Sequence, residues 1–417
     1  MIKKILLISM IASSTNYSLA LSLAEVLNRT PKIVDGQNGL RVNDRFVARL
    51  AKAQKLMTSE KYDKALEELD ALENAYGNNK FALSQIFQTR AYVFAQTDKI
   101  KKSIESFKKV VELERLPKAA LLNTYYALAQ VLASEEKYLE AMPYVQDFLY
   151  NKKPARADAF FFYGQILTQL KQSDLALENI EKAISLSKSP NKTWLSFASS
   201  LYFEKGDYKK SIDAIKKLIE LDTKDKKYWL QLSGVYMAMD NELEALSAIE
   251  SAHKYGLLTE EKEFIRLARL ALYSEIPYKA ARYLEKSLKE GKVEENAKNL
   301  ELLSDAYSYA KQKNEAIAAM RKSVSLSPAP KKLLKLGELQ ITEEKWSDAI
   351  TALEKVLASP ESKKEDKEKA RFSLGISYFR TGKLAMARES FAEAKKSKKF
   401  EKLAETWLSY MKEKQPQ

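Results

Sequence analysis

The sequence predicts an all-α protein, a solenoid of about ten helix–turn–helix units spanning residues 44–395. Three observations predict it. A pair of small residues twelve positions apart recurs along the chain. Apolar residues stand at helical spacing beyond each member of the pair. Glycine and proline, which interrupt helices, number only 11 and 10 among 417 residues.

The first members of the pairs are Ala53, Ala91, Ala129, Gly164, Ser199, Ser233, Ala268, Ser304, Gly337 and Gly375. The second members are Ala65, Ser103, Ala141, Ala176, Ser211, Ala245, Ala280, Ala316, Ala349 and Ala387, separated by 33 to 38 residues. Small residues facing each other let two antiparallel helices approach to the lower end of the usual ~8–10 Å range. Larger residues then fill the seam above and below. Leu56, Phe94, Leu132, Leu167, Tyr202, Tyr236, Tyr307 and Tyr378 stand three positions after the first small residue. Leu69, Phe107, Val145, Ile180, Ile215, Ile249, Leu284, Met320, Leu353 and Phe391 stand four after the second. Both offsets keep side chains on one helical face. Polar turns such as SEKYDKA and EKGDYKKS separate the paired helices, and Pro328 and Pro360 close their units.

Taken in chain order, residues 1–20 read as a cleaved secretory signal. Lys3 and Lys4 precede a short apolar run, Ile5 to Ala12, and the small residues Ser18 and Ala20 offer a cleavage site, with Ser22 or Ala24 as alternatives. The run is too short to span a bilayer. Residues 21–43 read as a loop or short lead-in. The seventh unit, with Ala271 in the aromatic position and Pro277 in its turn, is a place for a hinge or a boundary between blocks. In half the units a large residue, Leu72, Val110, Phe148, Leu218 or Val356, stands seven positions after the second small residue, which implies altered angles between units. Residues 396–417 form a capping helix and tail, with Phe400, Leu403, Ala404, Trp407, Leu408 and Met411 expected on one face.

Composition narrows the function. No cysteine is present, which removes disulfides, thiolate metal sites, cysteine nucleophiles and a lipid-bearing cysteine anchor. The one histidine, His253, sits one residue past Ala252 and reads as a packing residue. A single histidine without cysteine does not make a zinc site, and no phosphate-binding glycine loop occurs. No catalytic site, metal or other cofactor is therefore expected. The formal net charge of +14 fits a lysine-rich outer face, or attraction to an anionic surface or acidic partner. An exported chain would not meet nucleic acid.

The repeat resembles the tetratricopeptide family. In residues 228–253, YWLQLSGVYMAMDNELEALSAIESAH, Trp229, Leu232, Tyr236 and Ala245 match the family pattern, with Ser233 and Ile249 standing for its glycine and phenylalanine. The resemblance implies a right-handed superhelix whose first helix in each unit lines a concave groove. The groove positions it implies in units two to six are Gln85, Gln88, Tyr92, Gln96, Asn123, Tyr126, Gln130, Asp158, Phe161, Gln165, Gln169, Ser196, Phe203, Leu230 and Met237. Amides that both donate and accept, interleaved with aromatics, suit an extended peptide or a protein partner. Units seven to nine differ, with Lys262, Arg269, Lys298, Glu301, Asp305, Lys331 and Glu338. The lysine and asparagine set with which some family members clamp a C-terminal carboxylate is not found.

The overall plan also resembles exported repeat proteins that accompany TonB–ExbB–ExbD energy-transducing systems in Gram-negative bacteria. That resemblance implies a periplasmic adaptor with TonB- or ExbD-type envelope partners. The competing expectation is an envelope-assembly or cell-wall factor that touches the membrane periphery, or a glycan, through its basic surface.

Overall fold

A computed structural model describes residues 22–37 and 41–413. Residues 1–21, which include the signal-like segment, residues 38–40 and the last four residues lie outside it. All regular structure among the described residues is helical. A short helix, α1 (Leu23–Asn28), precedes ten hairpins. The first five are α2 (Asp44–Thr58) with α3 (Tyr62–Tyr76), α4 (Lys80–Gln96) with α5 (Ile100–Leu113), α6 (Lys118–Ser134) with α7 (Tyr138–Asn151), α8 (Ala157–Gln169) with α9 (Ser173–Leu186), and α10 (Lys192–Glu204) with α11 (Tyr208–Leu221). The other five are α12 (Lys226–Ala238) with α13 (Glu242–Lys254), α14 (Glu261–Tyr273) with α15 (Pro277–Lys289), α16 (Ala297–Tyr309) with α17 (Lys313–Leu326), α18 (Pro330–Thr342) with α19 (Trp346–Ala358), and α20 (Lys364–Arg380) with α21 (Leu384–Lys395). A last helix, α22 (Glu401–Glu413), follows. We call the first helix of each hairpin A and the second B. The chain divides into two compact units, Met1–Ala214 and Ile215–Gln417. The seventh hairpin lies inside the second unit, and its Pro277 opens α15 as the first helical residue, where a missing N–H costs nothing.

All twenty seam residues are buried. Three chemical solutions appear at the crossing. Alanine simply leaves room. Serine adds a bond: Ser103 donates to the Ala91 carbonyl at 2.8 Å, Ser211 to Ser199 at 2.9 Å, and Ser304 to Ala316 at 2.8 Å. Each bond ties the two members of one pair and satisfies a hydroxyl that burial would otherwise penalise. Glycine admits a large partner. A Cβ on Gly164 would stand 2.6 Å from Ile180 Cγ1, one on Gly337 2.7 Å from Leu353 Cγ, and one on Gly375 2.6 Å from the Phe391 ring. Gly375→Ala is expected to destabilise the protein by about 1–3 kcal/mol, since an added methyl in a filled core forces strain. It should cost more than Gly337→Ala, because the Phe391 ring is pinned by stacking on Trp407 at 5.4 Å while a leucine can turn. Equal denaturation midpoints for the two variants would contradict this ranking.

Every A-to-B turn closes in the same way. The residue five before the second seam residue adopts positive φ, from Glu60 (58°) and Asp98 (56°) to Glu344 (54°). Only Gly206 and Gly382 of these ten are glycine. The following N–H reaches back five residues, as in Lys61 to Leu56 and Lys137 to Leu132, both 2.9 Å. This bond satisfies a carbonyl that the helix end would leave open.

At the start of the first unit, residues 22–37 are a strap docked on α7. Val26 and Val34 are buried. Arg29 donates two bonds to the buried Asp147 carboxylate, at 2.8 and 3.1 Å, and the Lys32 N–H adds a third at 2.7 Å. Asn151 accepts from the Val34 N–H at 3.0 Å and donates to the Lys32 carbonyl at 2.7 Å.

In the second unit, α22 packs on α21. Phe400 stacks on Phe372, and Trp407 stacks on Phe391 and meets Phe379 edge-on at 5.3 Å. Leu403, expected on the packed face, is 53% exposed. The contact stripe runs through Phe400, Ala404, Trp407 and Met411, and Leu403 lies to one side of it.

Candidate functional site

The A helices carry the surface that differs from hairpin to hairpin. Relative to the first seam residue, three positions decide what the first unit presents. Three residues before the seam, side chains are consumed in packing. Gln88 donates to Thr124 Oγ1 at 2.8 Å on α6. Tyr126 is 8% exposed, stacks on Phe148 at 4.7 Å, and meets Phe162 edge-on. Phe161 is 8% exposed and stacks on Trp194 at 5.4 Å, with Phe197 edge-on. Tyr126 and Phe161 are thus held between helices, which corrects the expectation that they stand free to contact a ligand. Burial, with the Asp158 carboxylate adding to it, pushes the Tyr126 phenol up to about 12, so it stays protonated. Tyr92 is half-buried against Phe107, and burial raises its phenol as well.

One residue after the seam, and five after it, the face is open. Gln130 and Gln165 occupy the first position, Gln96 and Gln169 the second, and Asn123 stands exposed six residues before its seam residue. None of these five amides is hydrogen-bonded within the described residues. Asp158, also exposed, is engaged by Arg156, whose Nε lies 3.1 Å away. Phe203 is 41% exposed. Leu230 and Met237, placed in the same groove by the sequence, belong to the second unit, where both are half-buried against its core.

The A face of the second unit is charged. Lys335 bridges Glu301 at 3.4 Å and Asp305 at 2.5 Å, and Lys369 pairs with Glu338 at 2.6 Å. Sequence reading overlooked Arg266 on α14. A signal was available: it is a cation two residues before the seam, where the adjacent hairpins carry Gln231 and Leu302; the ninth hairpin's cation at that position, Lys335, is the one paired with Glu301 and Asp305.

No group of histidine, cysteine, aspartate and glutamate side chains placed to hold a metal occurs among the described residues. His253, on α13, lies edge-on to the rings of Phe264 and Tyr283. Its pKa is lowered from 6.5 by burial first, then by Lys286 and Lys292, against the opposing pull of Glu290 and Glu250. The folded state therefore favours neutral imidazole. The resulting stabilisation is complete above 6.5 and declines as pH falls from 6.5 through the folded-state midpoint. Because the chain has one histidine, its NMR resonance is expected to titrate with a midpoint below 6.5; a midpoint at or above that value would contradict the burial argument.

A stack of paired helices with one variable face is the architecture of a binding scaffold. The chain contains tetratricopeptide repeats: family models described as tetratricopeptide repeat match residues 157–190, 194–225, 297–330 and 334–401. Proteins of this kind are generally non-catalytic scaffolds for protein–protein interaction. No curated protein matches the sequence. Among solved structures, YrrB, described as a TPR protein with an unusual peptide-binding site, is 19% identical, with 44% of this chain and 91% of that one aligned at a TM-score of 0.38. A MamA chain from Desulfovibrio magneticus RS-1 is 19% identical, covering 44% and 99% at 0.38. Yeast Tom70 is 14% identical, covering 88% and 96% at 0.31.

Proposed function

We propose that this protein is a non-enzymatic periplasmic adaptor whose first unit holds an extended segment of a protein partner, and that it serves a TonB–ExbB–ExbD energy-transducing system. One observation carries the binding part. Five exposed amides, Gln96, Asn123, Gln130, Gln165 and Gln169, stand on the rigid A helices of three successive hairpins, α4, α6 and α8, and spend no hydrogen bond among the described residues. An amide can both donate to and accept from a peptide backbone, so such a row reads an extended chain with little demand on its side chains. Placement on helices keeps that row pre-organised. The export part is supported by the signal-like first twenty residues and by the absence of a cysteine for lipid attachment. Cleavage after Ala20 would also leave Ser22, whose hydroxyl accepts from the Glu25 N–H to cap α1, in the mature chain.

The test is photo-crosslinking in living cells, with the reactive residue at Gln165 and a control at the exposed Lys182 on α9. One discrete partner captured from Gln165 and not from Lys182 supports the adaptor, and its identification as TonB or ExbD supports the energy-transduction role. Absence of a Gln165-specific product overturns the reading of the amide face. Recovery of the uncleaved protein from the cytoplasm would overturn the periplasmic assignment.

A further inference from the structure

We infer that the second unit holds a separate site on α14 and α16 for an internal acidic segment of a partner protein, one in which a carboxylate-bearing residue is followed by a bulky apolar residue. The site is chemically distinct from the amide face, and three independent observations lead to it.

The first is a run of lysines. Six residues before the seam, the A helices of the second unit carry Lys227, Lys262, Lys298, Lys331 and Lys369. The same position in the first five hairpins holds Val47, Gln85, Asn123, Asp158 and Thr193. The repeat tolerates any of these side chains, so its packing does not demand lysine. Lys227, Lys298 and Lys331 are exposed and form no ion pair among the described residues, whereas Lys262 pairs with Glu260 at 2.7 Å and Lys369 with Glu338.

The second is a recess of about 440 Å³ walled by Lys262, Arg266, Arg269 and Lys298 over Ile265 and Tyr273, with no carboxylate in its lining. Arg266 is the telling member. It is half-buried, and its one hydrogen bond among the described residues is a long one, 3.4 Å to Ser233 Oγ. Gly234 lies beside the guanidinium without crowding it: even an added Cβ there would stand 4.0 Å from Nη2. A guanidinium withdrawn from water without an anion is costly, and its planar fork fits a carboxylate with two parallel bonds.

The third is a neighbouring recess of about 610 Å³ that shares Arg269 and Tyr273 with the first. Two tyrosines one hairpin apart, Tyr273 and Tyr309, stand over it, 68% and 70% exposed, above Leu272 and Leu302. Exposed rings flanking an apolar floor offer large contact area at low entropic cost to an apolar side chain. Glu275 and Pro277 complete its lining.

Together these features form a continuous surface with a cationic end and an aromatic end. A flat anionic bilayer meets protruding lysines but not a guanidinium recessed beneath them. An extended chain reaches both. Successive A helices lie on the order of 10 Å apart and an extended chain advances ~3.3 Å per residue, so acidic side chains about three residues apart keep step with the lysines.

The test uses the purified full chain and fluorescence anisotropy of a labelled peptide repeating Asp-Leu-Ser, amidated at its C-terminus so that no terminal carboxylate takes part. The wild type is expected to bind it about tenfold or more tightly than the Asn-Leu-Ser counterpart, as a charge-assisted pair requires. Arg266→Gln should lose about as much, and Tyr273→Ser with Tyr309→Ser about three- to tenfold. If Arg266→Gln is misfolded by circular dichroism, the exposed pair Lys298→Gln and Arg269→Gln carries the same test. Equal affinity for the two peptides, or unchanged affinity in the folded cation variants, overturns the inference. So does retention of the protein on phosphatidylglycerol vesicles undiminished by excess acidic peptide, which would assign the cations to a lipid surface. Crosslinking from Gln165 is read separately, so failure here leaves the amide face unaffected, and the converse also holds.

Discussion

Trp407→Ala is expected to cost about 2–4 kcal/mol, somewhat less than truncating a fully buried aromatic because the indole is only partly enclosed. The indole stacks on Phe391 with planes 9° apart, meets Phe379 edge-on, and touches Tyr410 at 6.1 Å. Phe391 is itself the residue that fills the seam opposite Gly375, so losing the indole uncovers the last hairpin's core. Repeat arrays gain stability from nearest-neighbour interfaces, and an end hairpin has a neighbour on one side alone. Amide exchange is therefore expected to accelerate first in α20, α21 and α22. Trp407→Phe should recover more than half of the loss. Unchanged exchange in α21 would remove α22 from the role of cap.

Arg29→Ala is expected to be comparably severe, about 3–5 kcal/mol, because it strands a buried carboxylate. Asp147 is 3% exposed, and without the guanidinium its remaining bond would be the Lys32 N–H. Asp147→Ala should cost less, since Arg29 keeps partial access to water and can relax outward. The double variant should lie close to Asp147→Ala, not at the sum of the two, because both remove one interaction. Limited proteolysis reads the same event locally: cutting within residues 22–37 should rise sharply in Arg29→Ala. A strap that stays protected, with no change in melting, would show that the ion pair is not what holds it.

Much of the fold was legible because its requirement is local and repeats. Two helices cannot close on each other around bulky residues, so each seam displays a pair of small residues at fixed spacing, and the bulky ones must stand at helical offsets from it. The turns were less legible in their chemistry. Left-handed backbone usually announces itself as glycine, yet eight of the ten turns place Glu, Asp or Lys there, because the returning N–H to carbonyl bond offsets the strain.

The candidate site was legible in part. Its amides follow from position along the A helix, and Gln130 and Gln165 stand exposed at the predicted face. Tyr126 and Phe161 could not be placed from their own hairpins. Their burial depends on Phe162, Trp194 and Phe197, supplied by the hairpin that follows each. Arg266 went unnoticed for the same reason, since a cation in a helix reads as solvated until the recess around it proves to have no carboxylate in its lining.

By itself, then, the sequence determined the helical hairpin, its number of copies and the seam in each, because those depend on contacts within about 34 residues that recur down the chain. Only the tertiary structure decided where residues 22–37 lie, which aromatics are consumed in packing, and which cations converge. The strap reaches partners 114–120 residues away, past two whole hairpins, and no periodicity connects Arg29 to Asp147. A contact made once, between distant segments, leaves no repeating trace in sequence; it becomes visible when the stacked helices bring its two halves within hydrogen-bonding distance.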